Sequence, residues 1–211
     1  MMKAVRQMDL YEFDLQYYKD FPLLCGTDEA GRGPLAGDVF AAAVIFAPDI
    51  VIEGINDSKK LSAKKRDVLF EEIKDKALYW SICTATVAEI EEFNILNCAM
   101  LAMKRAVESL GVVPDMALAD GNKTPDLSCP VQSVVKGDAK SQSIAAASVL
   151  AKVARDRYME EMALKYPQYA FEKHKGYGTK LHYQMLDEYG PSDIHRMSFL
   201  KKYYAAKKDK P

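Results

Sequence analysis

The sequence predicts an α/β fold in which one central mixed β-sheet is flanked by α-helices. Short runs rich in β-branched, aromatic and small apolar residues dominate the first half of the chain. From residue 62 onward, helical periodicity alternates with further β-like runs, and no repeat, low-complexity segment or long linker divides them. With 211 residues, 49% of them hydrophobic, the chain has ample material for one core. Residues 1–211 are therefore expected to form a single domain, with 1–22 as an N-terminal extension and about 167–211 as a C-terminal loop, helix and basic tail.

In chain order, the first strands are expected in "LLCGTD" (23–28) and "DVFAAAVIF" (38–46), a hairpin-like distance apart. "SAKKRDVLFEEIKDKA" (62–77) spaces Val68, Leu69, Glu72, Ile73 and Lys76 as a helix, with Ser62 as its cap. A third strand follows in "ALYWSICTATV" (77–87), then an amphipathic helix in "ILNCAMLAMKRAVESLG" (95–111) that Gly111 stops. "DMALAD" (115–120) and "VQSVVKGD" (131–138) read as two short strands joined by a Pro-containing loop. The strongest helix signal is "SQSIAAASVLAKVARDRYMEEMALKY" (141–166), free of Gly and Pro, whose Ala and Ser positions permit close packing on a sheet. Beyond it lie the loop "QYAFEKHKGYGTK", a helix in "LHYQMLDEYG" and the basic tail.

Composition excludes several classes. Lys and Arg number 29 against 30 Asp and Glu, so net charge alone neither announces nor excludes a polyanionic partner. Its distribution is uneven: "SKKLSAKKR" (58–66) and the last forty residues are Lys-rich, while residues 9–20 are acidic. Cys25, Cys83, Cys98 and Cys129 show no CxxC spacing and no secretory segment precedes them, which points to a reduced, cytoplasmic protein. The longest apolar run, "VFAAAVIFAP", falls far short of the roughly 18 residues that a membrane span needs.

Acids recur where the expected strands end. Asp28 and Glu29 close the first strand, Asp120 closes "DMALAD", and Asp138 follows "VQSVVKG". Ligands of helix-covered sheets gather at strand ends, and carboxylates without histidine suit hard cations such as Mg²⁺ or Mn²⁺. Each acid alone is equally a turn or cap residue, Asp120 in "ADGN" being the clearest case. Successive side chains on a strand point to opposite faces, so Asp28 and Glu29 cannot both reach one ion from regular β geometry. The strand is expected to end, bend or bulge there, with Gly31 and Gly33 supplying the freedom. Asp156 lies 18 residues beyond Asp138; on one unbroken helix that is on the order of 27 Å, which assigns it to an ion pair or helix end.

Together, "GTDEAGRGPLAGDVFAAAV", "NDSKKLS", "ADGN", "VVKGDAKSQSIAAASVLAKVARD" and "HKGYGT" resemble ribonuclease HII of the bacterial type, in order and over residues 23–199. The resemblance implies an RNase H-like fold with a helical C-terminal extension. It also implies a metal-dependent endoribonuclease that hydrolyses the RNA-containing strand of RNA/DNA hybrids. In duplex DNA it would incise 5′ of an embedded ribonucleotide, leaving 3′-hydroxyl and 5′-phosphate ends. By matching motifs, the family's four acids fall on Asp28, Glu29, Asp120 and Asp138, its nucleotide-reading loop on Gly31, Arg32 and Gly33, and its junction-sensing tyrosine on Tyr177.

Phosphodiester hydrolysis needs a nucleophile near neutral pH and compensation of developing charge, which two Mg²⁺ or Mn²⁺ ions held by the acids supply. Glycines let the main chain approach a ribose 2′-hydroxyl, Arg32 is placed to address phosphate, and Tyr177 to press on the adjoining sugar. Ser58, Lys59 and Lys60, with Asn56 nearby, and Lys173, Lys175 and Lys180 are expected at phosphates. Two alternatives stand beside this reading. Ribonuclease HIII typically carries Gly-Lys-Gly, a Glu as fourth acid and an added N-terminal domain, whereas this chain has Arg32, Asp138 and 22 residues before Leu23. A non-catalytic nucleic-acid-binding protein on the same fold is disfavoured by four intact acids. "MSFLKKYY" loosely resembles a sliding-clamp-binding pattern, with Leu200, Tyr203 and Tyr204 in its hydrophobic places and Met197 in place of Gln, but a tail that packs on the monomeric domain or fluctuates is the preferred reading.

Overall fold

The computed structural model describes residues 2–208, with side chains from Leu10 to Lys207. Its sheet has five strands in the order β3-β2-β1-β4-β5: β1 (Leu24–Ala30), β2 (Val39–Ile45), β3 (Tyr79–Ala85), β4 (Met116–Asp120) and β5 (Val131–Val134). β1, β2 and β3 form an antiparallel meander, while β4 and β5 run parallel to β1, so the sheet is mixed as expected. β2 is buried along its whole length, which suits its unbroken apolar sequence.

Two long helices cover the faces. α4 (Gln142–Lys165) lies on one, where Ala145, Ala146, Ala147 and Leu150 meet Ala42 and Val44. The approach is nearly backbone to backbone: a Cβ on Gly26 of β1 would lie 2.1 Å from the Ser143 carbonyl carbon. The small-residue face of this helix is thus a packing requirement. α2 (Ala63–Lys76) adds Leu69, Phe70 and Ile73 to the same layer, capped by Ser62 as its sequence indicates. On the opposite face, α3 (Val87–Glu108) packs Cys98, Ala102, Met103 and Ala106 against Cys25, Ala41 and Ala43.

α3 begins eight residues before the expected start at Ile95. A Thr86–Glu89 capping box opens it, and at Asn94 (φ 65°, ψ 161°) the backbone leaves helical geometry, the Asn94 side chain then capping Leu96 and Asn97. The N-terminal extension is also structured. α1 (Met2–Tyr18) inserts Leu10 and Tyr18 into the core and uses Asp14 to accept hydrogen bonds from the Ser143 amide and hydroxyl at the start of α4.

After α4 the chain makes the short helix α5 (Phe171–His174), then α6 (Lys180–Tyr189) and α7 (Met197–Lys208). The last does not hang free. Leu200 is fully buried against Leu35 and Leu186, with Phe199, Tyr203 and Tyr204 packed around it.

Candidate active site

The sheet sets three of the acids at neighbouring strand ends. β1 and β4 pair in parallel up to Thr27↔Ala119, and the next residue on each strand is Asp28 and Asp120. Both continue the α4-facing set of their strands, since Gly26 abuts Ser143 and Leu118 packs with Ile144. Asp138 joins them from the single turn Gly137–Ala139 that follows β5, and Asp120 Oδ1 accepts a 2.6 Å hydrogen bond from the Gly137 amide. The turn is set by Lys136, whose left-handed φ of 57° reverses the chain.

Glu29 is different. β1 does not end, bend or bulge at the acidic pair: Asp28↔Ala42, Glu29↔Ala41 and Ala30↔Phe40 all keep the antiparallel register. The expected break arrives at Gly31, where φ is +102°. Regular pairing sends Glu29 to the face opposite Asp28, where its carboxylate meets the Arg32 guanidinium at 3.2 Å. Parity therefore separates the two acids by face, with no distortion of the strand.

The electrostatics show strain of like charges. Burial pushes the Asp28 carboxyl well above the usual carboxylate range, and Glu29 and Asp120 push it further. Asp138 is raised by burial, then by Asp120 and Asp57, and Glu29 is raised by burial despite Arg32. Lys59 answers them: burial alone would lower its ammonium, but Asp28, Asp138, Asp57 and Asp120 together hold it above its ordinary value. Its placement comes from the turn Ser58–Lys60, capped by Asp57 and anchored by a Ser58–Ser148 hydroxyl bond of 2.9 Å to α4. Lys60 turns outward to Asp57, and the Asn56 side chain caps the Asp57 amide.

Neighbouring, partly buried hard oxygen donors, with the carboxyls of Asp28 and Asp138 raised by burial and by adjacent carboxylates, fit a divalent cation such as Mg²⁺ or Mn²⁺. Among the described residues, no three Asp, Glu, His or Cys side chains are already gathered around one ion position. Asp156 stands apart from this cluster, paired to Lys152 and, at 3.6 Å, to Arg66, as its distance along α4 requires.

Beside the acids, the Gly-Arg-Gly loop faces Tyr177. A Cβ on Gly33 would lie 3.7 Å from the Tyr177 ring, whose face lies 5.9 Å from the Arg155 guanidinium carbon. Gly31 has a more local reason to be bare, because its Cβ would fall 2.1 Å from Arg155 Nε. Tyr177 is 43% exposed and free to meet a ligand. Lys173 and Lys180 are also exposed, whereas Lys175 is tied to Glu160 at 2.7 Å.

Two residues that sequence reasoning passed over organise this region. Arg155 donates to the carbonyls of Ala36, Asp38 and Lys175; Arg196, fully buried, donates to those of Gly31, Arg32, Pro34 and Gly37. A signal for Arg155 existed, since it falls between Ala151 and Met159 at four-residue spacing on the buried face of α4.

The model of the family described as "Ribonuclease HII" matches residues 25–202. The chain belongs to the ribonuclease HII family. It is 52% identical over 201 residues to a ribonuclease HII from Caldicellulosiruptor saccharolyticus, covering 95% of this chain and 98% of that one. Among solved structures it is similar to the ribonuclease H2 of Pyrococcus horikoshii OT3 (TM-score 0.69, 28% identity, 83% of this chain and 92% of that one). It is similar also to the ribonuclease in the PCNA:RNase HII complex of Archaeoglobus fulgidus (TM-score 0.69, 25% identity, 83% and 94%). These likenesses show an RNase H-like fold and a ribonuclease H of type 2, and they set aside both the sister ribonuclease HIII and the non-catalytic alternative. Among the described residues no helix is long and apolar enough to cross a membrane.

Proposed function

We propose that the site incises the RNA-containing strand of RNA/DNA hybrids and duplex DNA 5′ of a ribonucleotide, leaving 3′-hydroxyl and 5′-phosphate ends. The observation that carries this reading is the placement of Asp28, Asp120 and Asp138 at neighbouring strand ends, with the Gly-Arg-Gly loop that follows Asp28 set against an exposed tyrosine. When bound, Mg²⁺ or Mn²⁺ supplies water activation and charge compensation at the scissile phosphate. Asp28, Asp120 and Asp138 would hold the ions from the α4 side of the sheet, with Glu29 contributing from the strand's other face. Lys59 sits where its ammonium offsets the acids and meets an incoming phosphate. Arg32, released from Glu29, addresses a second phosphate, while main-chain groups of residues 31–33 read the 2′-hydroxyl and Tyr177 presses on the next sugar.

The protein acts as a monomer in a reducing cytoplasm, the compartment being the part of this reading that its four free cysteines support. A relative is seen in complex with PCNA, but here Leu200 is buried and Tyr203 and Tyr204 pack on Tyr183 and Leu35, so clamp binding through this tail would require α7 to detach. A labelled DNA duplex with one ribonucleotide, incubated with Mg²⁺, Mn²⁺ or chelator, tests the reaction. Cleavage at the 5′ side of the ribonucleotide, lost with chelator and in Asp28→Asn, is expected; near-normal turnover of Asp28→Asn would overturn the assignment.

A further inference from the structure

The two arms that face the substrate position, the Gly-Arg-Gly loop and Tyr177, are far apart in sequence. Both are fixed by one dipeptide, His195-Arg196, just before α7. Backbone bonds lace three segments together at this point: Leu35 N to Gly176 O (2.8 Å), Gly37 N to Ile194 O (2.8 Å) and Arg196 N to Leu35 O (2.8 Å). Gly176 (φ +82°) lies so close that a Cβ there would be 2.6 Å from the Ala36 oxygen.

Arg196 holds the first arm. Its side chain makes five bonds, Nε and Nη2 to Gly37 O, Nη2 to Gly31 O, and Nη1 to Arg32 O and Pro34 O, all between 2.6 and 3.1 Å. Every N–H of the guanidinium is spent on a carbonyl of residues 31–37. No carboxylate pairs with it among the described residues' ion pairs, so its donors are committed to the shape of the loop.

His195 holds the second arm through His182, and the proton positions follow from the partners. The Ser192 amide donates to His195 Nδ1 (2.8 Å), so the proton of that ring is on Nε2. His195 Nε2 donates to His182 Nε2 (3.0 Å), so His182 carries its proton on Nδ1, which donates to the Tyr177 carbonyl (3.0 Å). His174 stacks on His182 with ring centres 4.3 Å apart, accepts from the Gly176 amide and donates to Tyr169 O. The chain's three histidines thus form one neutral, directional array that ends on the backbone of Tyr177.

We infer that His195 and Arg196 are positioning residues that set the gap between the Gly-Arg-Gly loop and Tyr177, and so the fit of the ribonucleotide between them. This rests on the reading that both arms touch substrate. A misplacement of about 1 Å far from the chemistry costs on the order of a hundredfold in rate, and it falls on kcat when binding through phosphates is kept.

The test is a double-mutant cycle on a duplex with a single ribonucleotide in Mg²⁺. His195→Phe keeps ring volume beside Tyr169 and Phe171 but loses the hydrogen bonds to Ser192 and His182, and Arg196→Lys keeps charge but not the fork. Each is expected to lower kcat about a hundredfold with KM changed less than about threefold. In a Tyr177→Ala background, His195→Phe should cost less than about twofold further, because it acts through Tyr177, whereas Arg196→Lys should keep its full effect. Equal losses from His195→Phe in both backgrounds, or none, would overturn the inference while leaving the site reading intact. Unchanged turnover by Tyr177→Ala would instead sink the site reading itself. If His195→Phe does not melt cooperatively, His182→Phe breaks the same link from its other side, with the same outcomes deciding.

Discussion

Protonating the histidine array should be difficult and should break it. Burial holds His182 and His195 down to about 4 from an ordinary value near 6.5, and His174 is also lowered by burial. A difference of roughly 2.5 units, at about 1.36 kcal/mol per unit, makes adding a proton to either ring cost about 3 kcal/mol more than in the unfolded chain. The bonding pattern gives the reason. A second proton on His195 Nδ1 would oppose the Ser192 N–H, one on His182 Nε2 would oppose His195 Nε2–H, and one on His174 Nδ1 would oppose the Gly176 N–H.

The sign follows from linkage. Between pH 6.5 and 4 the unfolded chain takes up protons that the folded array refuses, so its contribution is complete above about 6.5 and is lost as pH falls toward 4. At pH 5 this amounts to about 2 kcal/mol for one ring. Two joined rings contribute less than twice that, because the first proton already breaks their shared bond. Buried carboxylates work the other way, Asp14 among them with its carboxyl raised to about 6 by burial, so a global melt reports only the difference. Imidazole nitrogen shifts of the folded protein read each ring directly, and the three histidines make the spectrum small. The expected result, from pH 8 to pH 5, is protonation at Nε2 of His195 and at Nδ1 of His182, without titration, with His174 carrying its proton on Nε2 above its own titration, which burial lowers from the ordinary value. Titration of His182 or His195 near 6.5, or an Nε2–H form of His182, would refute the assigned array.

Asp14→Asn should stabilise the protein by up to about 3 kcal/mol at pH 8, because the asparagine keeps an acceptor for Ser143 without a buried charge; the wild-type folded state holds its proton up to about pH 6 while the unfolded chain releases it near 3.8, so the gain should vanish near pH 4, and urea melts at the two pH values decide it. Gly31→Ala combines a φ of +102° with a Cβ driven into Arg155, so a loss of at least about 2 kcal/mol is expected from denaturant midpoints, and a neutral result would mean that the Arg155 contact is not fixed. Lys59→Ala should weaken binding of a catalytically silenced protein to duplex and reduce the slope of log affinity against log salt by about one unit, measured by anisotropy; an unchanged slope would remove Lys59 from the phosphate contacts.

Local sequence patterns anticipated most of the sheet and its covering helices because they follow nearest-neighbour rules. Ser62 caps α2, and the Ala-rich face of α4 lies on β1 and β2 because only small residues allow that approach. The first turns of α3 were equally legible in Thr86-x-x-Glu89 but were masked by the break at Asn94. The placement of Asp28 and Asp120 side by side was not legible, since it depends on β1 pairing in parallel with β4 after a long crossover. Parity did separate Glu29 from Asp28, but the further step, that a strand carrying both must deform, failed because an acid on the far face can satisfy itself with Arg32. The Arg196 contacts could not be found from spacing, because their partners are backbone carbonyls far away in the chain, and the join of His182 to His195 depends on how α6 and the segment before α7 fold against each other.

The two buried arginines explain why "DEAGRG" can join a metal-type acid cluster to a reading loop without a regular element between them. A loop that leaves a strand at a left-handed glycine would ordinarily be free to move, and its inward carbonyls would be unsatisfied. Arg196 satisfies four of them and Arg155 two more in the following stretch, at the cost of burying two cations: burial, and then Arg155, bring Arg196 down to about 9, and burial lowers Arg155. A pair of apolar residues would fill the space at lower cost in desolvation, but would leave those carbonyls without donors and the loop without a fixed shape. Asp38 is near enough to ease both charges without pairing with either guanidinium at bonding distance, its carboxylate being committed to the Val87 amide at the start of α3. The guanidinium forks therefore remain available to the loop. What the fold loses in desolvation is retained as geometry, and it is retained where a difference of one oxygen atom on a sugar must be detected.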